Sequence, residues 1–164
     1  MDEAELQRFI GQEVGRTRVT VERSALANFA TAVLDDSPIY RDLTVAQGAG
    51  FASIPAPPTF PFVMGHWGAF AEQQPEGAPG PGLGMVLGPL LADGGLILHG
   101  EQHFTYERAL VAGEVVDLVG HVKDLYVKQS KGATMTFVVV ETRCTAAESG
   151  ELIGTSTSNV LVRK

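Results

Sequence analysis

Four long segments in the second half of the chain combine apolar, aromatic and β-branched residues. They are residues 96–108, 114–128, 133–145 and 151–163. Val, Thr, Tyr and Phe favour strands, and the short glycine-containing turns between the segments are typical of antiparallel neighbours. Each segment is longer than ten residues. Because long antiparallel strands twist strongly, the pattern predicts a sheet that curls into a half-cylinder.

The first half of the chain predicts one short strand and two helices. Residues 11–20 alternate loosely, as a short strand would, and residues 42–47 fit a short helix. The longer helix lies between them and should end near Asp35, because Asp-Asp-Ser-Pro is turn chemistry. Its apolar stripe recurs at helical spacing and consists of Leu26, Phe29, Ala30 and Val33.

Residues 60–71, FPFVMGHWGAFA, are apolar or small on nearly every side. A helix that is apolar all round must be enclosed, and this segment is too short to cross a membrane. The curled sheet is the element that can wrap it. The sequence therefore predicts an α+β protein with a hot-dog fold, in which a curved antiparallel β-sheet surrounds a long central apolar helix, as one domain over residues 1–164.

Length and charge limit the possible partners. The chain has 164 residues, a net charge of −7 and no basic run. Nucleic acid and anionic membrane surfaces need clustered Lys and Arg, so neither is an expected partner. The acidic N-terminus, MDEAELQRF, is unlike a signal peptide. With a single cysteine, Cys144, no internal disulfide can form. We expect a cytoplasmic protein.

A stretch rich in proline and glycine, residues 75–100, separates the two halves. A connection this long inside one domain is usually functional or mobile. It contains several large apolar residues, which a disordered linker would not need. Two alternatives remain open: a loop that covers part of the sheet, or a flap over an apolar ligand.

Three stretches of the sequence carry a family resemblance. Residues 35–40 read DDSPIY, residues 56–60 read APPTF, and residues 99–114 read HGEQHFTYERALVAGE. Together they resemble the MaoC-like (R)-specific hydratases and dehydratases, and within them the N-terminal, FAS1-like dehydratase branch. These are hot-dog enzymes that act on acyl thioesters. The resemblance covers about residues 10–163.

The resemblance implies a catalytic site that is incomplete in this chain. Active relatives use an Asp and a His five positions apart for acid/base chemistry, and a backbone N–H at the start of the central helix for the thioester oxygen. Asp35 matches the Asp, whereas Tyr40 stands in place of the His. Pro58 stands in place of the residue that offers its N–H, and proline has none.

The resemblance thus favours an acyl-binding half of a two-part enzyme. The function predicted is a subunit of an (R)-type enoyl-thioester hydratase or 3-hydroxyacyl-thioester dehydratase, a hydro-lyase. Its substrate would be an acyl-CoA or an acyl carrier protein thioester. It would form a homodimer, or a heterodimer with a catalytic hot-dog partner. Besides Asp35 and Tyr40 as catalytic candidates, the residues expected to bind substrate are Pro58, Thr59, Phe62, Met64 and Trp67.

Simpler interpretations remain open for each residue. Asp35 fits a solvated turn, Tyr40 a half-buried aromatic, and His66 a core histidine. The alternative for the whole chain is a non-catalytic module that binds an acyl thioester or serves as a structural partner. A thioesterase would need a carboxylate on residues 60–71, which carry none. The sequence has no metal-ligand spacing and no phosphate-binding or dinucleotide motif, so no metal or cofactor is expected.

Overall fold

The sheet has the predicted strands in antiparallel arrangement. The structure is a computed structural model that describes residues 3–130 and 132–164. Its strands run in the spatial order β1-β3-β4-β5-β2, and each neighbouring pair is antiparallel. The strands are β1 (Glu13–Thr20), β2 (Leu96–Tyr106), β3 (Val115–Ser130), β4 (Ala133–Ala146) and β5 (Leu152–Arg163).

Four α-helices lie within the described residues. They are α1 (Glu3–Gln7), α2 (Arg23–Ala32), α3 (Leu43–Gly48) and α4 (Gly84–Leu91). Of the predicted apolar stripe, Leu26, Phe29 and Ala30 are buried on α2, whereas Val33 lies at its C-terminal cap and is exposed. The chain then turns through Leu34, which has a φ of 61°, and the N–H of Asp35 donates to the carbonyl of Ala30. None of the described helices is long and apolar enough to cross a bilayer.

The predicted continuous helix over residues 60–71 is wrong. The segment forms 3₁₀ turns at Phe60–Phe62, Met64–His66 and Ala71–Gln73. Its carbonyls bond N–H groups three residues on, as from Phe60 to Val63, and the carbonyl of Gly68 accepts a 2.8 Å hydrogen bond from the N–H of Thr20 at the end of β1. The bond to Thr20 ties the end of these turns to the edge of the sheet.

Only one side of this segment is enclosed. Phe60 and Met64 are 1% and 0% exposed, whereas Phe62 and Trp67 are 53% and 45% exposed. The expectation of a helix wrapped on every side therefore fails in this detail. The buried pair still places the segment against the sheet, within the core that includes Leu26 and Ile153.

The segment rich in proline and glycine covers the other half of the sheet. It contains α4, whose Val86 and Leu90 are buried among Val122, Leu125 and other residues of the central strands. This supports the first of the two alternatives for residues 75–100, a covering segment. Its apolar residues are there because they pack on the sheet.

The two edges of the sheet differ. Along β1, the N–H groups of Arg16 and Thr20 donate to the carbonyls of Pro79 and Gly68. Residues 68–79 therefore cover this edge. Within the described part of the chain, β2 is paired on one side only, with β5. At the start of β2, Leu96, Ile97 and Leu98 are exposed. An unpaired edge strand with exposed apolar side chains is uncommon in a monomeric protein.

Candidate functional site

A cavity of about 380 Å³ lies between residues 61–66 and the sheet. We call it the inner cavity. It lies against the inner face of the sheet, the face that carries Thr142 and Cys144 on β4. Its apolar lining includes Met64, Leu110, Leu118 and Ile153. Its polar lining includes His66, Thr142, Ser156 and Ser158.

A second cavity of about 220 Å³ opens at the end of the Asp35–Tyr40 turn, and Asp35 itself is not among its lining residues. We call it the outer cleft. Tyr40 and Ile39 form one wall, and the run of residues 55–58 forms another. Pro61, Tyr106 and Leu110 line both the outer cleft and the inner cavity, so the two spaces share a wall at these residues.

The structure places the two catalytic candidates near each other in different settings. The carboxylate of Asp35 accepts a 3.1 Å hydrogen bond from the N–H of Ser37, which is the turn role that its sequence context predicts. Tyr40 lines the outer cleft and is only 7% exposed. Burial, and secondarily the negative charge of Asp35, raises the pKa of Tyr40 above its ordinary value. Tyr40 therefore stays protonated at neutral pH.

Pro58 forms part of the cleft wall and presents a carbonyl to it. The hydroxyl of Tyr106, at the end of β2, donates to this carbonyl. Partial burial raises the pKa of Tyr106 to about 12, so the hydroxyl keeps its proton over the neutral range. Tyr106 belongs to the motif of residues 99–114, but the sequence assigns it no role, because Pro58, which accepts its hydrogen bond, is 48 residues away.

The expected substrate-binding residues are divided among different surfaces. Phe62 and Met64 line the inner cavity, and Pro58 lines the outer cleft. Thr59 lies in a shallow groove beside Phe62. Trp67 is outside the linings of both cavities and packs on the ring of Phe60, with the ring centroids 6.0 Å apart.

A polar cluster on the inner face was missed by the sequence reasoning. Gln102 of β2 donates to the Ser156 hydroxyl at 2.5 Å and accepts from the Ser158 hydroxyl at 2.6 Å. Both serines line the inner cavity. A signal was available in the sequence, since the run TSTSN over residues 155–159 puts polar side chains on both faces of a strand. The lining of the inner cavity is therefore polar as well as apolar.

Cys144 also lines the inner cavity and is 7% exposed. Its burial, followed by the negative charge of Glu114, raises the pKa of the thiol to about 12. A buried thiol with a high pKa is a poor nucleophile. Within the described residues, no group of three or more His, Cys, Asp and Glu is arranged to hold a metal ion.

The Cys144 thiol should make the protein less stable in alkali. The folded chain holds this proton more tightly than the unfolded chain, whose thiol ionises near pH 9.0. The stabilisation is thus present below pH 9 and is lost as the pH rises towards 12. We expect the free energy of unfolding to fall by about 1 kcal/mol between pH 8 and pH 10. Urea unfolding at each pH measures it.

Cys144→Ala is the matched control for this pH dependence. It should lower stability at every pH, because it empties buried volume, yet flatten the decline between pH 8 and pH 10. The same decline in Cys144→Ala and in the unaltered chain would contradict the assignment. Tyr40 and Tyr106, whose ordinary pKa is 10.0, add a decline of their own that lies mainly above pH 10.

Comparison with known proteins places the chain in a family. Residues 8–155 match the family described as "FAS1-like, dehydratase domain region". A UPF0336 protein of Thermobifida fusca (strain YX) is 34% identical over 143 residues, which cover 87% of this chain and 83% of that protein. The chain belongs to the FAS1-like dehydratase domain family, which confirms the resemblance found in the sequence.

Solved structures confirm the hot-dog fold. The ChsH1-ChsH2 complex from Mycobacterium tuberculosis superposes with a TM-score of 0.70 at 23% identity, covering 96% of this chain and 91% of that one. The C-terminally truncated HadBC (3R-hydroxyacyl-ACP dehydratase) complex, also from Mycobacterium tuberculosis, gives a TM-score of 0.65 at 20% identity, with coverages of 93% and 96%.

Proposed function

We propose that this chain is the acyl-binding subunit of an (R)-type enoyl-thioester hydratase or 3-hydroxyacyl-thioester dehydratase. A partner hot-dog chain would supply the catalytic Asp and His. The observation that carries the proposal is that Tyr40 and Pro58 line the same outer cleft. By the family resemblance, they stand in place of the base and the N–H donor. This cleft adjoins a larger, partly apolar cavity suited to an acyl chain.

The chemistry of these two positions argues against catalysis by the chain alone. Hydration of an enoyl thioester needs a base for water and a donor for the charge that develops on the thioester oxygen. Tyr40 cannot act as a base at neutral pH, because burial and the charge of Asp35 raise its pKa and keep its hydroxyl protonated. Pro58 lacks an N–H, and its carbonyl already accepts a hydrogen bond from Tyr106.

The bare edge of the sheet supports a partner chain. Along β2, the exposed Leu96, Ile97 and Leu98 offer apolar surface beside unpaired main-chain groups. A second hot-dog chain could bury both kinds of group at once. The HadBC and ChsH1-ChsH2 structures are named as complexes, which favours the heterodimeric version of the proposal.

An activity assay tests the proposal directly. The chain is purified alone and with a hot-dog chain of the same genome that carries an intact Asp-x-x-x-x-His motif, and loss of enoyl absorbance is followed with crotonyl-CoA. We expect no activity from the chain alone and activity from the pair. Asp35→Asn should leave the rate of the pair within about twofold, because a general base contributes roughly 10²-fold or more only where it acts.

Asp36→Asn is the matched control, since Asp36 is the exposed neighbour of Asp35 in the same turn. Activity of the isolated chain that disappears in Asp35→Asn but persists in Asp36→Asn would refute the accessory role. Binding of crotonyl-CoA with no turnover by any pair would instead favour the alternative of a non-catalytic binding module.

A further inference from the structure

The side chain of Tyr106 lies in the wall that the outer cleft and the inner cavity share. Of the three residues that line both spaces, Pro61 and Leu110 have no polar side-chain atom to bridge the walls. Tyr106 reaches from the end of β2 to the carbonyl of Pro58 on the opposite wall. Tyr106 therefore forms part of the wall that separates the outer cleft from the inner cavity.

The sheet fixes the orientation of the Tyr106 side chain. Tyr106 is paired with Gly154 of β5, and a Cβ at Gly154 would lie only 3.1 Å from Cδ1 of the Tyr106 ring. Glycine at this position leaves room for the ring to lie on the strand. The ring of Phe104 stacks beside it, with centroids 6.3 Å apart and planes 12° from parallel. The ring is thus held in an orientation that aims its hydroxyl at Pro58.

One hydrogen bond, from the Tyr106 hydroxyl to the carbonyl of Pro58, holds the side chain in this position. The hydroxyl remains protonated at neutral pH, and the carbonyl of a proline residue is a good acceptor. A single neutral hydrogen bond is weak enough to open when a ligand compensates for its loss. The Tyr106 side chain also has room to move towards solvent, because the residue is 42% exposed.

We propose that Tyr106 is a specificity-determining partition that limits the length of the acyl chain admitted from the outer cleft. With the bond to Pro58 intact, the outer cleft takes a short acyl group, and a longer chain enters the inner cavity only when Tyr106 moves aside. The inference rests on the proposed acyl-thioester function. It assigns short-chain acyl thioesters as the preferred class of ligand.

Binding of an acyl-CoA series tests the partition. Affinities for butyryl-, octanoyl- and dodecanoyl-CoA are measured by calorimetry for the unaltered chain, Tyr106→Phe and Tyr106→Ala, each alone and with the partner chain. In Tyr106→Ala, octanoyl-CoA and dodecanoyl-CoA should gain affinity relative to butyryl-CoA by about fourfold for each methylene newly buried. Tyr106→Phe keeps the ring but loses the bond, so its gain should be smaller.

The chain offers a matched control in Tyr126→Phe. Tyr126 also lies on a strand and stacks on Phe137 at 4.8 Å, but it lines neither cavity. Its substitution should leave the chain-length profile unchanged. Equal profiles for Tyr106→Ala and the unaltered chain, where both bind acyl-CoA, would overturn the partition.

A second measurement needs no acyl ligand. Cys144, the sole cysteine of the chain, lines the inner cavity and reports access to it. Methyl methanethiosulfonate, a small neutral thiol reagent, should label Cys144 several-fold faster in Tyr106→Ala than in the unaltered chain or in Tyr126→Phe. Equal labelling rates would overturn the partition. If no variant binds acyl-CoA, the proposed function fails, and the labelling rates alone decide whether Tyr106 separates the two spaces.

Discussion

Phe60→Ala should lower the free energy of unfolding by about 4 kcal/mol, because it removes a large side chain from the centre of the core. Phe60 is 1% exposed, and its ring packs edge-on against Phe29 with the centroids 5.6 Å apart. The ring joins the 3₁₀ segment to α2. A loss of this size is a large fraction of the total stability of an ordinary domain. Urea unfolding followed by circular dichroism measures it.

Phe62→Ala is the matched control for this substitution, two positions along the same FPF run. Phe62 is 53% exposed, and its ring meets the ring of His99 at 5.3 Å. Its removal should cost less than about 1 kcal/mol. Because Phe62 lines the inner cavity, the same variant should weaken the binding of longer acyl-CoA chains more than that of butyryl-CoA. Similar losses of stability in Phe60→Ala and Phe62→Ala would contradict the burial that the structure assigns to this segment.

The strands could be predicted from the sequence because their signals are local. The segment predicted over residues 133–145 is Ala133–Ala146 in the structure, and the one predicted over residues 151–163 is Leu152–Arg163. Runs of β-branched residues between glycine turns decide such boundaries within a few neighbours. The short helix predicted over residues 42–47 was found for the same reason, since Asp42 accepts hydrogen bonds from the N–H groups of Thr44 and Val45.

The central segment could not be predicted in detail because it depends on contacts with residues that are distant in the sequence. Residues 60–71 have the apolar composition of a buried helix, but a bond from Thr20 ties Gly68 to the end of β1. The same limit applies to the site. The motif that contains Tyr40 was located from local sequence, whereas the contact between Tyr106 and Pro58 joins positions far apart in the chain.

The division of the site between two cavities has a consequence for its chemistry. In the outer cleft, Tyr40 and Pro58 offer no base and no N–H donor at neutral pH. The inner cavity does carry polar groups, among them Ser156 and Ser158, but both are hydrogen-bonded to Gln102. A chain with this arrangement is better suited to hold an acyl group than to react with it, which agrees with the accessory role proposed above.

Gly68→Ala should destabilise the protein by about 3 kcal/mol through overpacking. A Cβ at this position would lie 2.1 Å from the carbonyl oxygen of Thr20 and 2.8 Å from a methyl carbon of Val19. Both neighbours belong to β1, so the clash can be relieved only by moving the 3₁₀ segment away from the sheet edge. That movement would lengthen the bond from the N–H of Thr20 to Gly68 and disturb the floor of the inner cavity.

Gly65→Ala separates this effect from the general cost of replacing a glycine. A Cβ at Gly65 would meet no atom within 4 Å, and the residue is not among those with positive φ. Alanine there should leave stability unchanged or raise it by up to about 1 kcal/mol, because the unfolded chain loses conformational freedom. Urea unfolding of both variants makes the comparison. Equal effects at the two positions would mean that the close approach of Gly68 to β1 does not hold the segment in place, and the cavity it encloses would then lack its supporting contact.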